Sequence, residues 1–229
     1  MTTPPIPAFD AAGFPVEDAL RRVETAIAGH PKAGLFQLAD EGFGDPFCVL
    51  VACILSIRTT DEAAVPAARR LFALGRTPAE IAALDVSAID AAIAACQYHE
   101  TKAGQIQVIA RRVRDEFCGN LPCDFDVLTS FHGVGPKCAG LALGIGCGQA
   151  RISVDVHVHR VTNRWGLVQT RTPEQTLAAL ETRVSRERWI DVNRLLMPFG
   201  KFVCEGALPR CSTCPCLPIC PQIGITRHR

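Results

Sequence analysis

Near its C-terminal end the chain sets four cysteines, Cys204, Cys211, Cys214 and Cys220, in the spacing C-x6-C-x2-C-x5-C, among the prolines Pro209, Pro215, Pro218 and Pro221. Proline lacks a backbone donor and fixes φ, so neither a regular helix nor a central strand can run through this segment. A stiff loop so poor in core residues needs an internal template, and four thiolates around a metal provide one. Zinc and a [4Fe–4S] cluster both accept four cysteines. Zinc ribbons use two separated C-x2-C knuckles and this segment has one, so the spacing favours the cluster. Zinc, or plain reduced thiols in a tail, are the alternatives. Cys216 is a fifth thiol inside the array. The other seven cysteines, Cys48, Cys53, Cys96, Cys118, Cys123, Cys138 and Cys147, stand among apolar neighbours and are expected to be small core residues.

The rest of the chain is globular in character. With 229 residues, 48% hydrophobic and 21% charged, it can bury a sizeable core in one large domain or two small ones. The longest predominantly apolar run, from Phe47 to Ile57, is too short to span a membrane, and no basic head precedes an apolar stretch at the N-terminus. No export and no membrane association are therefore expected, and disulfides persist mainly in oxidising compartments. The net charge of +1 hides an asymmetry. Residues 1–100 hold 7 Lys and Arg against 13 Asp and Glu, while residues 101–229 hold 17 against 10. A basic half suits a phosphate-rich partner.

Helix signals recur and strand signals are scarce. Thr77-Pro78-Ala79-Glu80 has the capping-box pattern with proline at the first helical position, and Thr172-Pro173-Glu174-Gln175 repeats it. Ser87 is placed to cap a short helix bearing Ile89 and Ile93. Ala103 to Phe117 puts Ile106, Ile109, Val113 and Phe117 on one face. The reading is all-α, with about ten short helices, and residues 1–16 form a proline-rich flexible tail.

Gly133-Val134-Gly135 lies between two predicted helices, 124–131 and 137–146, with His132 before it and Lys137 just after. Such a hairpin presents backbone N–H groups at a helix start, where the dipole also favours an anion, and it grips phosphate without reading sequence. Taken alone, the turn reads more simply as a plain corner between helices and Lys137 as a solvated phosphate contact. Asp155 follows the apolar segment Ile152-Ser153-Val154 and opens a helix through Trp165, where an N-cap is its simplest role. His157 and His159 could be read with Asp155 as metal ligands, but positions i, i+2 and i+4 do not all share one helix face, which argues against a metal set there.

The hairpin with Lys137, the stretch Asp155-Val156-His157-Val158-His159-Arg160-Val161 and the cysteine array stand in the order and spacing of endonuclease III. The chain resembles that family of helix-hairpin-helix DNA glycosylases from about Pro46 to Cys220. Ile54 to Asp61 resembles its first DNA-contacting turn, and Lys102-Ala103 another anchor. The resemblance implies an all-α, two-domain fold: a helical barrel over 39–149 with the hairpin motif near 124–147, and a [4Fe–4S] cluster domain from 17–38 plus 150–229. It implies base excision repair of duplex DNA carrying a damaged base, such as an oxidised pyrimidine, or an abasic site. The enzyme would be a cytoplasmic, prokaryotic monomer associated with the nucleoid through its DNA. Cys204, Cys211, Cys214 and Cys220 would hold the cluster, and Lys201 near the cluster loop would meet phosphate.

The resemblance also implies a chemistry. The damaged nucleotide leaves the stack, because its glycosidic bond is inaccessible inside a duplex. Lys137, as the neutral amine, attacks the anomeric carbon, expels the base and leaves a Schiff base. Ionised Asp155 stabilises the charge developing on the sugar. β-Elimination then cuts the strand. Related adenine glycosylases lack this lysine, so Lys137 points to the bifunctional branch. A narrow or mainly abasic-site lyase, or a non-catalytic cluster-bearing DNA-binding or redox-sensing protein, are the competing readings. Two departures stand out. Arg58 replaces the glutamine the family usually carries where the flipped nucleotide leaves a gap, and Tyr98 replaces a leucine wedge. A guanidinium fork at position 58 matches the paired acceptors of guanine, so a preference for lesions opposite guanine is expected, with a simple phosphate contact as the alternative. Pro198 is expected to kink the approach to Cys204.

Overall fold

The structure, a computed structural model, describes residues 13–229, and every regular element among them is helical. Two compact units form: Ala33–Arg151, and Ile152–Arg229 with the N-terminal segment up to Lys32. Helix α1 (Val16–Ile27) turns Ala19, Leu20 and Val23 into the core of the second unit. Phe14 stacks on the buried Trp165 ring at a centroid distance of 5.1 Å, so ordered packing begins within the expected tail of residues 1–16. The first twelve residues of that tail lie outside the described residues.

In the 33–151 unit, α2 (Gly34–Leu38) buries Leu35 and Leu38 in the local core, and the Gly34 amide donates to Asp61 Oδ2 at 3.0 Å. Residues 33–38 thus pack here and not with the cysteine-rich unit, where the expected boundary put them. Helix α3 (Pro46–Ser56) is buried on every side from Phe47 to Leu55, which explains a run with no polar face. Its start is fixed by Pro46 and by Asp45, whose carboxylate accepts from the Cys48 amide at 3.0 Å. It packs against α4 (Asp61–Leu74) and α7 (His99–Glu116), while α5 (Pro78–Ala83) and α6 (Val86–Ile93) pack on α7. Thr77 and Glu80 make the reciprocal capping box that their spacing predicts. The cap position of α6 is Asp85 and not Ser87, which falls inside the first turn. Helix α7 buries Ile106, Ile109 and Val113 as expected, but it starts at His99, a turn earlier than the apolar stripe suggests.

The hairpin region is shorter and tighter than predicted. Helix α8 (Phe125–Thr129) leads through residues 130–135 into α9 (Pro136–Leu141), which widens into a π-helical turn over Ala142–Gly146. Cys123 and Cys147 are joined in a disulfide, and Cys118 is exposed. These three therefore depart from the expectation of core thiols. The bridge closes the ends of the segment that holds α8, the hairpin and α9. The Gln149 side chain adds a hydrogen bond to the Cys123 carbonyl at 2.8 Å.

The other unit is built on α10 (Val156–Arg164), α11 (Pro173–Glu181) and α12 (Trp189–Phe202). Helix α12 packs on both α1 and α10, with Leu195, Leu196 and Phe199 against Val158, Val161 and Trp165. At Gly200 the two helices come so close that a Cβ would lie 2.7 Å from His157 Cβ, so only glycine fits. Helix α12 continues through Pro198 to Phe202.

The disulfide spans 24 residues of sequence, and closing a loop of that size in the unfolded chain is worth about 3 kcal/mol. Reduction, or Cys123→Ser, is expected to lower the melting temperature by several degrees. An unchanged melt would contradict a formed bridge.

Candidate active site and cysteine loop

Lys137 is the second residue of α9, half-buried, and follows the hairpin directly. Gly133 has φ +76°, a left-handed conformation that favours glycine, and a Cβ there would meet the Gln105 amide nitrogen at 2.6 Å. That amide reaches past Gly133 to the carbonyl of His132 and fixes the hairpin to α7. His132, Gly133 and Gly135 are exposed. Val134 is 6% exposed and packs inward, so only its backbone can meet a ligand. No side chain caps α9, whose first N–H groups follow Gly135 and Pro136.

Asp155 belongs to the other unit and is half-buried at the N-terminus of α10. Both of its capping bonds fall on one oxygen: Oδ1 accepts from the amides of His157 and Val158, each at 2.9 Å. Oδ2 is not used by the cap. The cap therefore occupies one oxygen of the carboxylate only. Burial holds the neighbouring His157 below the usual histidine range, and its Nδ1 lies 3.0 Å from the Arg160 guanidinium.

Arg58 and Tyr98 meet on the surface of the 33–151 unit. Arg58 Nη1 donates to the Tyr98 hydroxyl at 3.4 Å, and the guanidinium carbon lies 5.9 Å from the ring centroid. Both residues are exposed, and both have left-handed backbones, at φ +54° and +57°. Sequence reading singled out the two positions separately and missed that they touch. It also missed the role of Lys102, whose amine is buried behind them. Burial lowers its pKa from the usual lysine value.

The four cysteines of the array converge beyond α12. Burial and the neighbouring thiols of Cys204, Cys214 and Cys211 push Cys220 up to about 12, while an opposing backbone bond from Gln222 holds it down. Cys214 is lowered to about 7, chiefly by a hydrogen bond from Cys216. Cys216 itself is fully buried beside α1, with its sulfur 3.9 Å from the Ala19 carbonyl, which marks it as a core residue. Two arginines that sequence reading passed over hold the first turn of the loop. Arg164 donates to the carbonyls of Cys204, Glu205 and Gly206 and lies 3.3 Å from Cys204 Sγ. Arg160 binds the carbonyls of Cys204 and Gly200. Their i, i+4 spacing on α10 is the signal that could have found them. Lys201 sits in the last turn of α12 with its amine 5.3 Å from the Phe202 ring centroid. Arg210 is paired with Glu205 at 3.1 Å.

Among the described residues, no three His, Cys, Asp or Glu side chains close up as ligands of one ion.

Comparison with known proteins fits this geometry. Residues 51–186 match the HhH-GPD superfamily of base excision DNA repair proteins. Endonuclease III of Thermotoga maritima is 36% identical over 170 residues, covering 74% of this chain and 80% of the relative. Endonuclease III-like protein 1 of Bos taurus is 36% identical over 176 residues, and the match covers 76% of this chain and 58% of the bovine protein. A solved non-covalent complex of endonuclease III with DNA superposes with a TM-score of 0.78 at 27% identity, covering 90% of this chain and 93% of that one. The chain belongs to the HhH-GPD superfamily and, within it, to endonuclease III, and is a DNA glycosylase with abasic-site lyase activity. No helix among the described residues is long and apolar enough to cross a membrane.

The cap geometry separates two substitutions. Asparagine caps about as well as aspartate, so Asp155→Asn is expected to keep the melting temperature close to wild type. Asp155→Ala should lose about 1 kcal/mol. Equal destabilisation by both, in paired thermal melts, would contradict the cap.

Proposed function

We propose that this enzyme removes oxidised pyrimidines from duplex DNA and cleaves the resulting abasic site by β-elimination through a Schiff base on Lys137. The observation that carries the reading is the placement of Lys137, half-buried and immediately behind the glycine hairpin, in a chain of the endonuclease III family. The hairpin backbone at Gly133, Val134 and Gly135, with His132 beside it, anchors a phosphate next to the target sugar. The Lys137 amine attacks the anomeric carbon as the glycosidic bond breaks and the base departs. The resulting iminium makes the adjacent C–H acidic, and loss of that proton expels the 3′ phosphate. Asp155 stabilises the charge that develops on the sugar, through the oxygen that the cap does not use. Arg58 and Tyr98 contact the strands where the nucleotide leaves the stack, and Lys201 adds a phosphate contact. With Arg58 already donating to Tyr98, a contact to an opposing guanine would compete with that pairing. The enzyme acts as a monomer, in our reading in the cytoplasm of a prokaryote on its nucleoid DNA, which the bacterial relative supports.

Cys204, Cys211, Cys214 and Cys220 would hold a [4Fe–4S] cluster. The single C-x2-C knuckle of the array, the core position of Cys216 and the two guanidiniums beside Cys204 support that group over a single zinc. When bound, the cluster supplies the template on which the proline-rich loop folds.

If Lys137 is the nucleophile, borohydride should trap a covalent complex with abasic duplex DNA. Lys137→Gln should abolish trapping while DNA binding persists, and undiminished trapping would assign the chemistry to another amine. The purified protein should be brown, with broad absorbance near ~400 nm and about four irons per chain. Cys214→Ala should lose the iron and Cys216→Ala should retain it; one stoichiometric zinc would contradict the assignment.

A further inference from the structure

Lys102 is 4% exposed, the one buried charged side chain among the described residues of the 33–151 unit. A buried ammonium is costly unless all its donors are met. Here Nζ donates to the carbonyl of Leu55 at 2.9 Å, to that of Ile57 at 2.8 Å and to Thr59 Oγ1 at 3.2 Å. The two carbonyls belong to the end of α3, where helical acceptors are unsatisfied and the dipole favours a cation. Thr59 Oγ1 accepts in turn from the Gln97 amide at 3.0 Å. One ammonium and one hydroxyl thereby tie the turn at residues 55–59 to the turn at 96–98. On the far side, His99 is held to Asp90 at 2.6 Å.

The tips of the two turns are Arg58 and Tyr98. Left-handed backbone at a non-glycine residue costs roughly 1–2 kcal/mol and persists only where the surroundings enforce it. Core packing does not repay it, because Tyr98 is 60% exposed and Arg58 is also exposed. What the strained turns produce is the contact between these two side chains. The location is also significant: the buried thiol of Cys138, next to Lys137, lies in the field of both Lys137 and Lys102.

We propose that Lys102 is a positioning residue whose buried ammonium locks two left-handed turns in register, so that Arg58 and Tyr98 enter the duplex as one paired probe beside Lys137. The inference rests on the reading of Arg58 and Tyr98 as DNA-contacting residues, and it adds a cause for their geometry. A probe of the stack matters only when there is a stack to open. A single-stranded abasic oligonucleotide presents its sugar already unstacked, and its capture by Lys137 should not depend on the turns.

The test compares single-turnover borohydride trapping on duplex and single-stranded abasic DNA, using the protein as purified. Lys102→Met is expected to slow duplex trapping at least tenfold and to leave single-strand trapping within twofold. Thr59→Val, which keeps the ammonium but cuts the link to Gln97, should shift the same ratio in the same direction and serves if Lys102→Met does not fold. Equal loss on both substrates, or none on either, would reduce Lys102 to a structural lysine and overturn the proposal. The double variant Arg58→Ala/Tyr98→Ala locates a failure. If it lowers duplex trapping and the Lys102 and Thr59 variants do not, the DNA-contact reading stands and the positioning role falls. If the double variant leaves duplex trapping intact, that reading fails and takes the proposal with it.

Discussion

The close crossing of α10 and α12 at Gly200 is the contact on which the cysteine-bearing unit depends. Because no side chain separates the helices there, His157 lies directly against Gly200, and Arg160 reaches the Gly200 carbonyl at 2.7 Å. The same helix begins at the Asp155 cap and ends at Arg164, whose guanidinium holds the carbonyls of residues 204–206. One nine-residue helix thus orients the carboxylate at its N-terminus and anchors the cysteine loop near its C-terminus. A residue larger than glycine at position 200 would push the helices apart and disturb both ends together.

The 33–151 unit solves a different problem with the same means. Its long apolar helix α3 can be fully buried because other helices surround it, but its C-terminal carbonyls must still find donors. Lys102 supplies them from within the core, and this lets the chain leave α3 through a strained turn rather than a relaxed one. The hairpin is held from two directions, by Gln105 from α7 and by the disulfide between Cys123 and Cys147 at its base. Lys137 therefore projects from a segment whose ends and tip are both fixed.

Features encoded locally were legible in the sequence. The Thr77 box, the Asp155 cap and the proline-rich cysteine loop depend on residues within a few positions of one another, and each appears where its spacing put it. Features that depend on distant partners were not. Cys123 and Cys147 stand 24 residues apart with nothing between them to announce a bridge, and apolar neighbours made them look like core thiols. Lys102 looked like an anchor but its acceptors lie 43 to 47 residues upstream. Val134 had the right position but points inward, because a hairpin this tight needs an apolar residue to hold it to the core. The Ser87 assignment failed for a smaller reason: Asp85 takes the extended cap conformation two residues earlier.

The central claim is that the amine behind the hairpin carries the chemistry, and it can be read at the level of a single residue. The complex trapped with borohydride on abasic duplex DNA, digested with nuclease and protease and sequenced by tandem mass spectrometry, would show which nitrogen bears the reduced sugar. The account predicts the deoxyribose-derived mass on Lys137, within the peptide that contains the Gly133–Gly135 turn. The same mass on Lys102, Lys201 or the N-terminal amine, with Lys137 unmodified, would contradict it.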